Sequence, residues 1–262
     1  LMANRMIVDA TACHRTVPVD ASPRPLGRRR VRAMGDMVSF ASNGLDARGY
    51  LAVPESGSGP GLIVLQEWWG LNDQLKGVAD RLAGQGFVAL APDLYHGELA
   101  GHDEMDKAGQ LMNELPPDRA ARDMAGAVDF LDGHDATTGD GVGVVGFCMG
   151  GLMTMLLAAQ RGDKVKAAMP FYGFPAPDSE PDWSGLTAVV RGHMANPDDF
   201  FTPDAARALE AKLQDMGKDV EFAIHDAGHA FMNETNALGT HDADLAEQVW
   251  PQVYEFFHAQ LG

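Results

Sequence analysis

At 262 residues, with 45% hydrophobic and 22% charged side chains, the chain has room for one domain with a sizeable core, or for that domain and a tail. A formal net charge of -17 argues against a phosphate backbone as partner, and no apolar run approaches the roughly 20 residues of a membrane-spanning helix. Two cysteines, Cys13 and Cys148, make no disulfide framework, which favours a reducing compartment and a cytoplasmic location.

The charge is unevenly spread. Residues 1–33 hold seven arginines against Asp9 and Asp20, so the rest of the chain is more acidic than the net value implies. The segment lacks the apolar core of a secretory signal. Arg28-Arg29-Arg30 suits a basic patch or part of a targeting peptide, but turn-formers and charges dominate the stretch. The simpler expectation is a disordered Arg-rich extension over 1–33, with a natural start near Met34 or Met37, ahead of one domain over 34–262.

Val38–Ser42 and Arg48–Val53 read as short strands joined at Asn43-Gly44, a hairpin signal. Leu62–Leu65 is a continuous apolar run, as in a strand buried on both faces. Leu75, Val78, Ala79 and Leu82 give Asp73–Ala83 helical spacing, closed by Gly84 and Gly86. Then follow strand Phe87–Ala91, helix Ala121–Leu131, strand Val142–Val145, helix Cys148–Ala159, and strands Val165–Met169 and Leu186–Val190. Thr202-Pro203 is a cap followed by proline at the first helical position, and Val220–Ile224 and Asp242–Ala259 are the last strand and helix. Alternation at this spacing predicts a mostly parallel eight-stranded sheet, flanked by helices on both faces, with an antiparallel edge.

The most informative segment is Gly146-Phe147-Cys148-Met149-Gly150, running from a buried strand into a helix. It is the nucleophile elbow G-x-S-x-G with cysteine in place of serine. Such a turn strains the backbone at the nucleophile, and the following helix N-terminus stabilises negative charge there. A buried cysteine in a glycine-rich turn, without chemistry, is the plainer alternative. An elbow enzyme needs an acid after a later strand and a histidine after the last one. His229 occupies the second place, while His225, at the strand end, reads as a wall residue. Gly228 argues against a helix that would make these histidines a metal pair, so no metal is expected. Either Asp198 or Asp199 suits the acid, and His193 reads as structural.

Taken together, these segments resemble the dienelactone hydrolase family over about residues 37–260. The matching pieces are Gln66-Glu67-Trp68-Trp69-Gly70-Leu71-Asn72, Pro92-Asp93-Leu94-Tyr95, Gly146–Gly151, Phe171-Tyr172-Gly173 and Gly228-His229-Ala230-Phe231. The resemblance implies an α/β-hydrolase fold, a Cys-His-Asp triad, no cofactor, and a small ester or lactone as substrate. Counting forward from His193 would select Asp198, but counting back from Phe201 and Pro203 by the family's spacing selects Asp199, so Cys148, His229 and Asp199 are the expected triad. It also implies that Glu67 keeps Cys148 a neutral thiol at rest and takes its proton when substrate binds. The expected oxyanion hole is formed by the backbone N–H groups of Met149 and Trp68.

Two departures bear on the substrate. Where dienelactone enzymes carry two carboxylate-gripping arginines, this chain has His96-Gly97 and Asn233. An uncharged substrate is therefore expected, unless Arg81 or Arg191 folds in as a replacement. Trp69, Tyr95, Tyr172 and Phe231 are the expected pocket lining, with Trp68, Phe174 and Met232 further candidates. A general carboxylesterase or thioesterase is the alternative activity. A non-catalytic small-molecule-binding module is the alternative of another class. The expected assembly is a monomer or small homo-oligomer.

Overall fold

A computed structural model of the protein describes residues 35–42 and 44–262. The expected extension over 1–33, Cys13 and Met34 lie outside the described residues. Eight strands form one sheet: β1 (Gly35–Ser42), β2 (Leu45–Ala52), β3 (Gly59–Leu65), β4 (Val88–Pro92), β5 (Thr137–Phe147), β6 (Val165–Phe171), β7 (Val189–Ala195) and β8 (Val220–His225). Their spatial order is β1-β2-β4-β3-β5-β6-β7-β8. β1 pairs antiparallel with β2, and β2 antiparallel with β4, while every later pairing is parallel. Ser42 pairs with Leu45, and Gly44 takes the positive φ of 93° that a tight hairpin turn requires.

The helices are α1 (Asp73–Ala83), α2 (Met105–Glu114), α3 (Pro117–Asp132), α4 (Met149–Gln160), α5 (Pro203–Asp215) and α6 (Ala243–Leu261). α1 and α6 cover one face of the sheet; α3, α4 and α5 cover the other. The strand pleat feeds both cores. In β3, Leu62 and Val64 join the cluster under α1 and α6, whereas Ile63 and Leu65 join the cluster under α3, α4 and α5. A strand buried on both faces needs apolar residues at every position, which is why it reads as an unbroken run.

β2, β3, β5 and α3 begin three to five residues earlier than the sequence predicts, and two further differences bear on the site. α2 was not predicted: of its ten residues only Ala108 is fully buried, so its apolar stripe is faint. β7 starts three residues later than expected and continues through Ala195, because Leu186 belongs to a 3-10 turn over Trp183–Gly185 and its exit. This longer strand carries His193 into the sheet and starts the following loop at Asn196.

Candidate active site

The site lies at the carboxyl ends of β3, β5, β7 and β8, the crevice position typical of open α/β sheets. β5 ends at Phe147, α4 begins at Met149, and Cys148 between them has φ 56° and ψ −117°. For a residue with a Cβ, that conformation costs on the order of 1–3 kcal/mol. The turn is held by its surroundings: Cys148 N–H donates to the Phe171 carbonyl at 3.0 Å, and the Cys148 carbonyl accepts from Gly151 and Leu152 N–H at 2.9 and 3.2 Å. The tight approach needs glycine, since a Cβ on Gly146 would overlap the Gly150 carbonyl.

Cys148 lines a cavity of about 230 Å3 together with Trp68, Met112, Met149, Leu152, Phe200, Phe201, His229 and Leu238. Burial is the main influence pushing its pKa well above the ordinary thiol value, the negative Glu67 and Asp198 add to it, and a hydrogen bond from Met149 N–H opposes it. A neutral thiol is therefore the resting form.

His229 follows β8 and is buried. Its Nδ1 lies 2.7 Å from Asp198 Oδ2, and the other carboxylate oxygen accepts from Phe200 and Phe201 N–H at 2.8 and 3.1 Å. An ionised carboxylate only accepts, so Nδ1 carries the proton and Nε2 keeps its lone pair for the cavity. Phe201 stacks on the imidazole at 5.8 Å and 16°, and Tyr172 meets it edge-on at 5.1 Å. The loops bearing Asp198 and His229 are joined by Asn196 N–H, which donates to the carbonyls of His225 and Ala227 at 2.9 and 3.0 Å. His193 Nδ1 and His225 Nε2, 2.9 Å apart, link β7 to the end of β8, and His225, expected as a wall residue, does not line the cavity.

The selection of Asp199 is corrected here. Asp199 is exposed, and the carboxylate on His229 belongs to Asp198, whose two bonds to following amides turn its side chain inward.

Glu67, two residues beyond β3, is 4% exposed. Its Oε2 accepts from Asn233 Nδ2 at 2.5 Å, and its Oε1 accepts from the Tyr172 hydroxyl at 3.4 Å. Burial raises its pKa to about 7, against the lowering effects of the Asn233 bond, His229 and the Tyr172 bond. Asn233, noted in the sequence only as the place of a missing arginine, is thus a direct partner of this carboxyl.

The expected lining is also corrected. Trp69, Tyr95, Tyr172 and Phe231 are all buried in the core, as are Phe174 and Met232. Tyr95 packs its hydroxyl on the Met149 sulfur at 3.4 Å, and Trp69 meets Trp68 edge-on in a small cluster with Ala100 and Ala108. Of the expected aromatics only Trp68 reaches the cavity; Met112, Leu152, Phe200, Phe201 and Leu238 complete it. Neither candidate replacement arginine lines it. Arg81 bonds Glu234 at 2.5 Å and covers Trp250, and Arg191 pairs with Asp219 at 2.7 Å and Glu221 at 3.4 Å. His96 bonds Asp123 at 2.7 Å. A larger hollow of about 350 Å3 beside the start of α6 contains no cysteine or serine.

The sheet order, the strand–cysteine–helix turn and the histidine after the last strand define an α/β-hydrolase. The chain belongs to the dienelactone hydrolase family, whose sequence model matches residues 47–261. It is 37% identical over 235 residues to "Protein usf" of Aquifex pyrophilus, covering 87% of this chain and 100% of that one. It is 35% identical, with the same coverage, to a protein of Aquifex aeolicus (strain VF5) named "Putative carboxymethylenebutenolidase". Among solved structures, the Anabaena variabilis dienelactone hydrolase superposes with a TM-score of 0.61 at 22% identity, covering 86% of this chain and 98% of that one. Among the described residues no helix is long and apolar enough to cross a membrane, and no group of three or more metal-ligating side chains gathers.

Proposed function

We propose that the protein hydrolyses small uncharged esters or lactones through a covalent thioester on Cys148, with His229 as base, Asp198 as its orienting acid and Glu67 as first acceptor of the thiol proton. The observation that carries this is the pairing of His229 with a fully enclosed carboxylate in the same cavity as the elbow cysteine.

The chemistry follows from the placements. A neutral thiol needs a base, and Glu67, whose carboxyl burial raises to about 7, stands closer to the thiol in proton affinity than an ordinary carboxylate would. The thiolate adds to the acyl carbon, and the carbonyl oxygen gains negative charge facing the N–H groups of Met149 and Trp68. The bond to the leaving oxygen then breaks, leaving a thioester and an oxyanion. His229 Nε2 takes a proton from water as it attacks the thioester, and passes that proton to the released oxyanion. The expelled thiolate recovers its own proton from Glu67, which restores the resting state. Leaving groups that tolerate negative charge, such as enolates and phenolates, suit this order of events.

The cavity supports the substrate class. Its lining is apolar apart from Cys148 and His229, and no arginine or lysine side chain lines it. A carboxylate there would be desolvated without a partner, a loss of roughly 1.5–3 kcal/mol for each charged hydrogen bond missing. At about 230 Å3 the cavity exceeds the roughly 150 Å3 that holds a benzene ring, so an aryl ester of a short acid fits. The relative named as a carboxymethylenebutenolidase points to the same bond type.

Steady-state kinetics of C148A and H229A on an aryl acetate test the proposal. Both should lose essentially all turnover, and retained turnover in C148A would refute it. A binding module would show affinity for the ester with no turnover in the unsubstituted protein.

A further inference from the structure

We propose that Asn233, held by Thr235, is a positioning residue that fixes which oxygen of Glu67 exchanges a proton with the Cys148 thiol. It rests on Glu67 acting as the first acceptor of that proton.

Three hydrogen bonds carry the inference. The Asn233 carbonyl oxygen accepts from Thr235 N–H at 3.0 Å and from Thr235 Oγ1 at 2.5 Å. A backbone N–H only donates, so the amide cannot be turned over without leaving that donor facing another donor. The NH2 end must therefore point at Glu67 Oε2, 2.5 Å away. An NH2 group likewise only donates, so Oε2 is a committed acceptor and holds no proton along that line. A proton on Oε2 would have to use its second lone pair and weaken the Asn233 bond, which favours the other oxygen. Oε1 faces the Tyr172 hydroxyl across a longer 3.4 Å, and a hydroxyl either donates or accepts. Oε1 is thus the working oxygen, free to carry the proton that leaves Sγ and to give it back.

The relay also spans a gradient of exposure. Thr235 is exposed, Asn233 is 2% exposed, and Glu67 is 4% exposed, so a change at the surface end reaches the buried carboxyl without opening the core. Asn233 is fixed along its backbone as well, donating to the Ala230 carbonyl and accepting from Asn236 N–H, each at 2.9 Å. The amide supplies a neutral donor at a place where a cation would hold Glu67 permanently ionised. A neutral donor leaves the carboxyl able to cycle between its two forms near neutral pH, which a proton acceptor must do.

The test is an infrared titration of the protonated-carboxyl band that E67Q removes, read in the whole protein alongside the pH–rate profile. Asn233 donates to the ionised form, so N233A should move the Glu67 midpoint upward by about one to two pH units. N233D, which sets a like charge beside it, should move it further. T235V should give a smaller move in the same direction, because Thr235 N–H still holds the amide, and T235S should reverse it. Thr235 is exposed, so the T235V and T235S pair keeps the test open even if N233A unfolds. A midpoint unmoved by T235V and by the Asn233 variants, or moved downward, overturns the relay. Turnover surviving in C148A would instead overturn the proposed function and leave the infrared result standing.

Discussion

Replacing Asp198 by asparagine separates orientation from charge at the candidate acid. The asparagine carbonyl can still accept from Phe200 and Phe201 N–H, now at 2.8 and 3.1 Å, so the loop keeps its shape. Its NH2 then faces His229 Nδ1, now 2.7 Å from an oxygen, and forces the ring into the tautomer that accepts there. The proton moves to Nε2, and the lone pair that should take a proton from water is gone. The analogous change in a Ser-His-Asp enzyme lowers kcat on the order of 10^4 with the geometry intact, and a loss of that order is expected here. D198A should differ in kind. It deletes three hydrogen bonds, one buried and two part-buried, at roughly 1 kcal/mol each, so about 3 kcal/mol of stability and roughly 6–12 °C of Tm should go with the activity. D199N alters an exposed side chain and should leave both within error. Steady-state kinetics on an aryl acetate and thermal unfolding read all three variants. A D198N loss below tenfold, or a D199N loss as large, would refute the pairing as the source of activity.

Further expectations concern pH, core and substrate. Glu67 has its pKa raised to about 7 in the folded protein, so the native state holds more protons than the unfolded one between about 4.5 and 7, and stability falls as pH rises through that window. E67Q should remove that slope and unfold later at pH 8, by up to about 3 kcal/mol in denaturant titrations. His193, lowered to about 3 by burial and by His225, acts oppositely: the unfolded state binds its proton first, so stability falls as pH drops below about 6.5. The acid-side loss should therefore persist in E67Q. Phe231, fully buried, should cost about 3–5 kcal/mol when changed to alanine, whereas F200A, at a side chain 66% exposed, should leave stability within about 0.5 kcal/mol and raise KM for aryl esters. A dienelactone methyl ester should be turned over at least about a hundredfold more efficiently than its free acid, and the reverse preference would require an anion site outside the described cavity.

What was legible in the sequence depended on how local the physics was. Leu62–Leu65 and Val142–Val145 announced buried strands because both faces of the sheet are covered. Gly146-Phe147-Cys148-Met149-Gly150 announced the turn because the close approach of β5 and α4 admits no side chain there. α2 stayed hidden because one fully buried residue makes no readable stripe. Spacing from Phe201 points to Asp199, whereas what selects the aspartate is the turn after Pro197, where Asp198 bonds the two following amides. That signal was present as an Asn-Pro-Asp turn initiator. The pocket was misread for a different reason: aromatic residues near strand ends look alike in sequence. Only the fold decides that Tyr172 and Phe231 are enclosed in the core, Tyr172 against His229 and Glu67, while Phe200 and Phe201 line the cavity. The role of Asn233 had no local signature, since its partner Glu67 lies 166 residues away.

Covalent catalysis requires an acyl group to pass through Cys148. Brief incubation with a 4-nitrophenyl ester of a hindered acid, followed by acid quench and peptide mass spectrometry, reads it directly. A single acyl mass increment should appear on the peptide containing Cys148, formed with a burst of nitrophenolate and absent in C148A. An increment on a serine, or full turnover with no increment on Cys148, would contradict it.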